Sequence, residues 1–306
     1  MKRSLFSAFG LVLFAPSALA AEPAAFRFED GEGYRDLFVG SKPVYRYMHA
    51  FDPARRDETY KPFLHVYDFH GGGFITKGAG GKYTHHRGLF IGWNKTGFEG
   101  KSYDFWHCKG VERRFDSFVP ESAPGRMHSV TRWPDPSGKV AVEEHQVVDT
   151  KVTAEGLVQL DFAFALQAPN GPVTLNGDPQ HAGFHFRAAS EVEQKNSATY
   201  VRPSEATTQG KDVWTNCPWV VCQFPIQGNR YEVALMNHPA NPRPASFSTR
   251  QYGRFGAFFT SDVSQEKPLA LRFRVLISES TKTRASAAPD WAKAYETFVT
   301  ENPAAQ

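Results

Sequence analysis

Cysteine is scarce in this sequence, with three residues in 306. That number excludes a disulfide-rich scaffold, so stability has to come from an apolar core. Cys217 and Cys222 are close enough in sequence to bridge across a turn, which would leave Cys108 free, and three buried thiols are the alternative. Cys108 follows His107, but no partnered base accompanies it, so a nucleophilic thiol is not favoured.

Long apolar runs are absent after the first twenty residues. Residues 1–20 begin with Lys2 and Arg3, continue with an apolar run and end in an A-x-A-like site at 18–20. These features are typical of a secretory signal peptide. No later run approaches the roughly 18 apolar residues that cross a bilayer. We therefore predict a cleaved signal over 1–20, no transmembrane segment after cleavage, and a periplasmic or secreted protein.

A marked excess of charge of either sign is also missing. The formal net charge is +3, and removing Lys2 and Arg3 with the signal lowers it to +1. A nearly neutral protein has no bulk electrostatic attraction to nucleic acid or anionic lipid. We therefore expect no nucleic-acid partner, while the oligomeric state stays open.

Helical periodicity is confined to one stretch near the C-terminus. There, Asp290 is suited to cap a helix that places four apolar side chains on one side, namely Trp291, Ala294, Tyr295 and Phe298. Elsewhere, short alternating segments are separated by turn residues, which predicts strands. With 26 Phe, 11 Tyr and 6 Trp available for a core, we predict one all-β domain over residues 21–306. Its expected form is a large antiparallel β-sandwich with one C-terminal helix.

Polar and aromatic residues are concentrated between residues 83 and 107. The segment contains His85, His86, Arg87, Glu99, Asp104 and His107 among Tyr83, Trp93, Tyr103 and Trp106. Imidazoles and charged groups suit proton transfer, anion contact or metal ligation, and flat aromatic faces suit sugar rings. We interpret this segment as the functional centre of the chain.

A second polar cluster follows at residues 177–187. If it forms a strand, one face carries His181, Gly183, His185 and Arg187, while Phe184 and Phe186 face the core. Imidazoles four residues apart on a strand lie roughly 13 Å apart, too far to share one metal ion. A third set, Arg250, Tyr252 and Arg254, also alternates to one side. We expect the first two segments to line a common hollow on one side of the sandwich.

Several segments resemble a family of secreted bacterial proteins labelled PmoA-like. They are PFLHVYDF, THHRGLFIGW followed by DFW, QHAGFHFRA, and RQYGRFGAFF followed by PLALRFRVLI, spread from about residue 43 to 278. The label derives from a membrane methane monooxygenase subunit, which would need several membrane spans that this chain lacks. The resemblance implies a role in polysaccharide use and a fold similar to the galactose-mutarotase supersandwich. It transfers no catalytic residue.

The leading hypothesis is a carbohydrate-active enzyme that performs acid–base chemistry on a poly- or oligosaccharide, by lyase-type β-elimination or by hydrolysis. The catalytic candidates are Tyr83, His85, His86, Arg87, His185 and Tyr252, with His86 favoured as the base. The candidates for substrate binding are Trp93, Glu99, Asp104, Trp106, His181, Arg187, Arg250 and Arg254. Glu99 and Asp104 are alternatively a carboxylate pair for hydrolysis.

Two further points are left open by the sequence. No cofactor is required, but a divalent metal ion is an alternative, with candidate ligands His70, His86, His107, His181 and His185. The alternative functions are a non-catalytic carbohydrate-binding protein and a sugar mutarotase or epimerase.

Overall fold

The computed structural model describes residues 25–70, 72–81, 83–208, 210, 212–215, 217–281 and 286–303. The signal peptide expected at residues 1–20 lies outside the described residues. Within these ranges, no helix is long and apolar enough to cross a membrane.

Short strands dominate the described chain. In chain order they are β1 Phe26–Gly31, β2 Tyr34–Val39, β3 Lys42–Met48, β4 Phe63–Val66, β5 Leu89–Trp93, β6 Lys95–Phe98, β7 Lys101–Tyr103, β8 Arg114–Val119, β9 Arg126–Pro134, β10 Val140–Val152, β11 Val158–Gln167, β12 Val173–Asn176, β13 Ala182–Arg187, β14 Thr199–Val201, β15 Thr207–Thr208, β16 Val213–Thr215, β17 Trp219–Ile226, β18 Asn229–Asn237, β19 Ser246–Arg250, β20 Arg254–Phe258, β21 Ser261–Val263 and β22 Leu269–Ser280. The helices are α1 Arg56–Thr59, α2 Ser190–Lys195 and α3 Trp291–Glu301, with a 3-10 turn at Pro53–Arg55.

The strands form three antiparallel sheets. The ten-stranded sheet has the order β1-β2-β3-β4-β5-β13-β20-β19-β16-β15, and the eight-stranded sheet has the order β14-β17-β18-β22-β11-β10-β9-β8. A small sheet of order β21-β12-β6-β7 completes the set. The predicted all-β antiparallel sandwich is confirmed.

The core lies between the two large sheets, where alternate side chains of each strand point inward. Phe184 of β13 packs against Phe162 and Phe164 of β11 and Phe273 of β22, with ring centroids 4.7–5.4 Å apart. All four rings are buried, and burying each one contributes roughly 1.5–3 kcal/mol. Because Phe184 points inward, its neighbour His185 points to the outer face of the ten-stranded sheet, as the alternation predicted.

Helix α3 covers part of the other outer face, that of the eight-stranded sheet. The Asp290 carboxylate accepts hydrogen bonds from the backbone N–H groups of Ala292 (3.0 Å) and Lys293 (3.2 Å), so the helix begins where predicted. Phe298 is buried against the sheet, in one cluster with the partly buried Trp291, Ala294 and Tyr295. The apolar side of the helix is therefore the predicted one.

The three cysteines are free and buried, so the structure has the alternative without a disulfide. Cys217 donates to the carbonyl of Trp219 at 3.0 Å, while Cys222 lies within β17. Burial raises the pKa of both thiols to about 12. Burial also raises the pKa of Cys108, which keeps this thiol protonated and unreactive.

Candidate functional site

The segment around His85 and His86 is a turn that lies on the outer face of the ten-stranded sheet. The backbone N–H of His86 donates to the carbonyl of Tyr83 at 3.1 Å, which closes the turn. Adjacent residues of a strand would point to opposite faces, but in this turn the two imidazoles contact each other, with ring centroids 4.3 Å apart. Both histidines therefore belong to one site.

The loop at residues 104–108 is organised by the carboxylate of Asp104. It accepts hydrogen bonds from the backbone of Trp106 (3.1 Å) and His107 (2.8 Å), and from Nδ1 of His107 (2.8 Å). The loop lies directly on β5 at Gly92, where an added Cβ would come within 2.9 Å of the carbonyl oxygen of Phe105. The missing side chain thus sets how closely His107 approaches the sheet.

The same local arrangement recurs before β13. Asp178 accepts hydrogen bonds from the backbone of Gln180 (2.9 Å) and from Nδ1 of His181 (3.0 Å), and it is held by the amide of Asn94 (3.0 Å). In both places an Asp precedes its His by three residues, and the carboxylate orients backbone and imidazole together. Each pair fixes the orientation of one imidazole ring.

The two segments converge, and their imidazoles form one continuous row. We call His86, His85, His107 and His181 the imidazole row, because consecutive ring centroids lie 4.3, 4.6 and 4.9 Å apart. The ring of Tyr83 lies 6.0 Å from that of His85. Groups almost a hundred positions apart in the chain therefore share one face of the sandwich.

Exposure separates the members of the row. His85, His107 and His181 are half-buried, and Tyr83 is 36% exposed, so a ligand can reach them. His86 is only 4% exposed. The expectation that His86 is the base in the groove is therefore wrong for this arrangement, and His85 occupies the accessible position beside it.

His185 forms part of the floor beneath the row. It is 2% exposed, its Nε2 lies 2.7 Å from the carbonyl of Ala182, and its ring packs against Trp106 with centroids 4.5 Å apart. Its other nitrogen lies 3.3 Å from the guanidinium of Arg254. His185 supports the site from below and does not face solvent, contrary to the catalytic role expected for it.

Burial favours the neutral form of two half-buried imidazoles of the row, those of His85 and His181. Burial, followed by the neighbouring His107 and Lys61, lowers the pKa of His85 to about 3. Burial also lowers the pKa of His181, although Asp178 opposes that change. Burial acts to raise the pKa of Asp104, but the hydrogen bonds from His107 outweigh it and leave a carboxylate. At neutral pH the neutral imidazoles of His85 and His181 therefore lie beside ionised aspartates.

Comparison with known proteins identifies the family. A family model described as a family of unknown function, DUF6807, matches residues 35–292. The chain belongs to the DUF6807 family. The imidazole row and both aspartates lie within the matched part of this DUF6807 chain. No curated protein matches the sequence, and the resemblance to PmoA-like proteins stays a prediction.

Solved structures similar to this DUF6807 member include three sugar enzymes or their homologues. A putative kojibiose phosphorylase from the human microbiome has 8% identity and a TM-score of 0.34 over 92% of this chain and 36% of that one. A GalM/aldose epimerase homologue from C. elegans has 9% identity and a TM-score of 0.37 over 84% and 99%. An alpha-galactosidase from Geobacillus stearothermophilus has 9% identity and a TM-score of 0.32 over 83% and 40%. The DUF6807 chain spans only about a third of the phosphorylase, and scores this low support no assignment of chemistry.

Three residues expected in the site are packing residues in the DUF6807 structure. Arg87 is fully buried and donates to the backbone carbonyls of Asp57 (2.6 Å) and Glu58 (2.7 Å). Trp93 lies in the core between the sheets, and Trp106 is buried against Phe90. Arg87 therefore anchors the turn, and neither indole is exposed for stacking on a sugar.

Other expected ligand contacts are occupied by protein partners. Glu99 forms an ion pair with Lys139 beside the hairpin β6–β7, so it makes no carboxylate pair with Asp104. Arg187 is buried and bonded to Glu193 at 2.5 Å. Arg250 lies near Asp212 at 3.7 Å and donates to its neighbour's carbonyl.

Tyr252 and Arg254 do belong to the DUF6807 site. The half-buried ring of Tyr252 stacks with that of His86 at 5.9 Å, with 23° between the ring planes. Arg254 lies beneath, fully buried, and donates to Ser248 at 2.9 Å and faces His185. Both residues therefore lie on the face of the ten-stranded sheet that carries the imidazole row.

The sequence leaves open the alternative of a divalent metal site. In the parts of the chain described above, no group of three or more His, Cys, Asp or Glu side chains is placed to hold a metal ion. His70, one candidate ligand, instead meets Glu279 at 3.2 Å and lines a separate cavity with Phe69 and Val152. A divalent metal in this DUF6807 protein stays an untested prediction.

Two residues of the candidate site were not among those expected from the sequence. Asp178 pairs with His181, and the repeated Asp-x-x-His spacing at 104–107 and 178–181 was a signal that could have found it. Lys61 lies buried under Trp106 and donates to its carbonyl at 2.6 Å. No local pattern marks Lys61, because its burial depends on distant residues.

Proposed function

We propose that this protein is a periplasmic or secreted enzyme that moves protons on a carbohydrate through two neighbouring Asp–His pairs. The pairs are Asp104–His107 and Asp178–His181. The single observation that carries this proposal is their adjacency: the two imidazoles lie 4.9 Å apart, each with a carboxylate at Nδ1.

The hydrogen-bond pattern supports a role in proton transfer. When Nδ1 of a neutral imidazole donates to a carboxylate, the lone pair lies on Nε2, which becomes the basic nitrogen. The carboxylate also stabilises the imidazolium that forms after the proton is taken. Two such pairs side by side place two basic nitrogens at one position, and the imidazolium formed when one of them takes a proton can return that proton.

Lyase-type β-elimination suits this arrangement better than hydrolysis. One imidazole removes the proton α to a carboxyl group, the electron pair forms the C=C bond, and the C–O bond to the leaving sugar breaks. The leaving oxygen receives its proton from the imidazolium formed in this step or from Tyr83. Hydrolysis by paired carboxylates needs two carboxyl groups at the substrate, whereas Asp104 and Asp178 are each engaged by an imidazole.

The carbohydrate part of the proposal has two supports. The partly exposed Tyr83 lies beside the row, and flat aromatic faces bind sugar rings. The sequence also resembles proteins associated with polysaccharide use. A mutarotase or epimerase would use the same two proton-transfer groups, and a binding protein would use neither.

The experiment is a product assay with matched variants. The mature protein is incubated with acidic and neutral polysaccharides, and absorbance near 230 nm, new reducing ends and anomeric exchange are followed. Asp104→Asn and His181→Gln should lower kcat by about 10²- to 10⁴-fold, since each removes a proton-transfer group or its orientation. His145→Gln is the control, because His145 lies on β10 beside His128 and Glu143.

The three assays separate the functions. Rising absorbance indicates elimination, reducing ends without absorbance indicate hydrolysis, and anomeric exchange alone indicates a mutarotase. Binding without any turnover would contradict the enzyme proposal. So would full activity of both variants at unchanged melting temperature.

A further inference from the structure

Buried cations without carboxylate partners surround the imidazole row. Lys61 is 2% exposed, donates to the Trp106 carbonyl at 2.6 Å, and places its Nζ 3.4 Å from the centroid of the Phe90 ring. Arg254 is 1% exposed and contacts Ser248, His185 and a backbone carbonyl. Among the described residues, no carboxylate lies within ion-pair distance of either cation. Burying an uncompensated cation is costly, so such groups call for an explanation.

Two more buried cations, Lys77 and Arg87, hold the turn at residues 83–88 through hydrogen bonds to backbone carbonyls. Nζ of Lys77 donates to the carbonyls of Gly80 (2.6 Å), Gly78 (3.2 Å) and Tyr83 (3.3 Å), and Arg87 bonds to carbonyls only. The nearby carboxylates are already engaged: Asp104 with His107, Asp178 with His181, and Glu193 with Arg187. The site therefore has an excess of positive charge in a region of low water content.

Several buried polar atoms of the site have no hydrogen-bond partner in the described structure. They are the two ring nitrogens of His86, one a donor and one an acceptor, Nε1 of Trp106, and Nε of Arg187 and Arg254. A buried polar group without a partner costs roughly 1–3 kcal/mol. Atoms of this kind also lie elsewhere in the described structure, Nε of Arg113 among them, so what distinguishes this site is their combination with cations that have no carboxylate partner. A bound oxygen-rich anion would supply both negative charge and hydrogen-bond acceptors there.

Lys61 also connects the row to an open cavity. A groove of about 520 Å³ on the outer face of β3 and β4 is lined by Lys61 together with Phe63, His65, Phe74 and Gly78. This volume lies within the range of small-ligand sites. Its acidic residues are Glu32 and Glu58, which are exposed, and Asp52, which pairs with Arg55 at 3.0 Å. We call this cavity the sheet groove.

We infer that the sheet groove binds an acidic sugar, whose carboxylate is held at Lys61 where the groove meets the imidazole row. The inference rests on the proposed function and assigns its substrate class, a saccharide containing uronic acid. Lys61 and the reacting imidazole are close in the structure, because Lys61 bonds to Trp106 and His107 is the next residue. The carboxylate then lies beside the carbon that loses its proton, and the next sugar unit extends along Phe63 and Phe74. Burial lowers the pKa of Lys61, and an anion bound beside the amino group should raise it.

The test measures binding without turnover, in a His107→Gln/His181→Gln variant. The probes are trimers of galacturonate, of neutral galactose, and of sulfated galactose, each titrated by calorimetry at low and high salt. We expect the galacturonate trimer to bind at least tenfold more tightly than the neutral trimer, and to weaken with salt. Lys61→Met should remove this preference while leaving neutral binding unchanged. Lys139→Met, an exposed lysine paired with Glu99, should change nothing.

Each outcome decides between the claims. Equal binding of acidic and neutral trimers, or an unchanged preference in Lys61→Met, overturns the inference. Equal binding of sulfated and galacturonate trimers shows a general oxyanion site and overturns the carboxylate assignment. If Lys61→Met does not fold, competition by acetate against the galacturonate trimer replaces it, and no competition overturns the inference. If the wild-type protein binds galacturonate but does not turn it over, the proposed function is contradicted and the inference stands. If it turns over only neutral sugars, the inference is contradicted and the proposed function stands.

Discussion

Buried cations are compensated in two different ways in two regions of this protein. Between the large sheets, Arg113 meets Glu144 at 2.5 Å, and both side chains are almost completely buried. On the outer face of the eight-stranded sheet, Arg274 meets Asp161 and Glu301 at 2.6 Å each, beside Phe298 of α3. On the outer face of the ten-stranded sheet, Lys61 is just as buried, but its contacts among the described residues are a carbonyl oxygen and aromatic rings.

The difference shows which region is complete on its own. In a buried ion pair each charge compensates the desolvation penalty of the other, and removing one partner leaves an uncompensated buried charge. A buried cation without a carboxylate partner has an uncompensated desolvation penalty, which a bound anion would reduce. A buried cation therefore stabilises the fold where it is paired, as in Arg113, and is suited to bind an anionic ligand where it is not, as in Lys61.

The largest effect on stability should come from breaking the buried ion pair of Arg113 and Glu144. Arg113→Leu leaves the buried carboxylate of Glu144 with only the Trp133 indole as a donor, at 2.9 Å. We expect the free energy of unfolding to fall by about 3–5 kcal/mol, measured by urea denaturation. A loss under about 1 kcal/mol would mean that the pair is not a structural element.

The second prediction concerns the pH dependence of kcat/KM, which depends on the unpaired cations around the imidazole row. A neutral imidazole acts as a base down to its own pKa, and burial lowers the pKa of His181. The acid limb of kcat/KM should therefore lie below pH 6.5. Arg254→Met removes one of the charges that lower the pKa of His181, so the limb should move to higher pH. Lys139→Met should leave it in place, and a wild-type limb at 6.5 would contradict the prediction.

A smaller effect is expected when the unpaired cation is removed. Lys61→Met loses one hydrogen bond, worth about 0.5–1.5 kcal/mol, but no longer buries an amino group. The free energy of unfolding should stay constant or rise, in contrast to Arg113→Leu. A fall of several kcal/mol in urea denaturation would show that Lys61 belongs to the structural class after all.

The smallest effect should come from an exposed pair. Arg132 and Asp116 lie 3.0 Å apart with about half and a third of their side chains exposed. Arg132→Ala should cost less than about 1 kcal/mol in the same denaturation experiment. A loss equal to that of Arg113→Leu would show that burial does not separate the two kinds of pair.

Much of the fold was predictable because its signals are local. The alternation around Phe184 and His185 correctly assigned one residue to the core and the other to the outer face. Asp290 marked the start of α3, and the spacing of Trp291 and Phe298 gave its buried side. Each of these features depends on neighbours within one strand or one turn of helix.

The site was predictable only in its general location. The two polar segments do converge, but the turn at residues 83–88 brings both histidines to one side, so the accessible imidazole is His85 and not His86. Arg87 was misjudged because its partners, the carbonyls of Asp57 and Glu58, come from another part of the chain. Burial set by distant segments leaves no trace in local spacing.

The bare position at Gly92 has a consequence for the chemistry. The backbone of residues 105 and 106 rests on it, and His107 follows immediately. An alanine there would push this loop away from β5 and displace His107 relative to His181, although no acid or base is replaced. The spacing of the two proposed proton-transfer groups thus depends on a residue that contributes no functional group of its own.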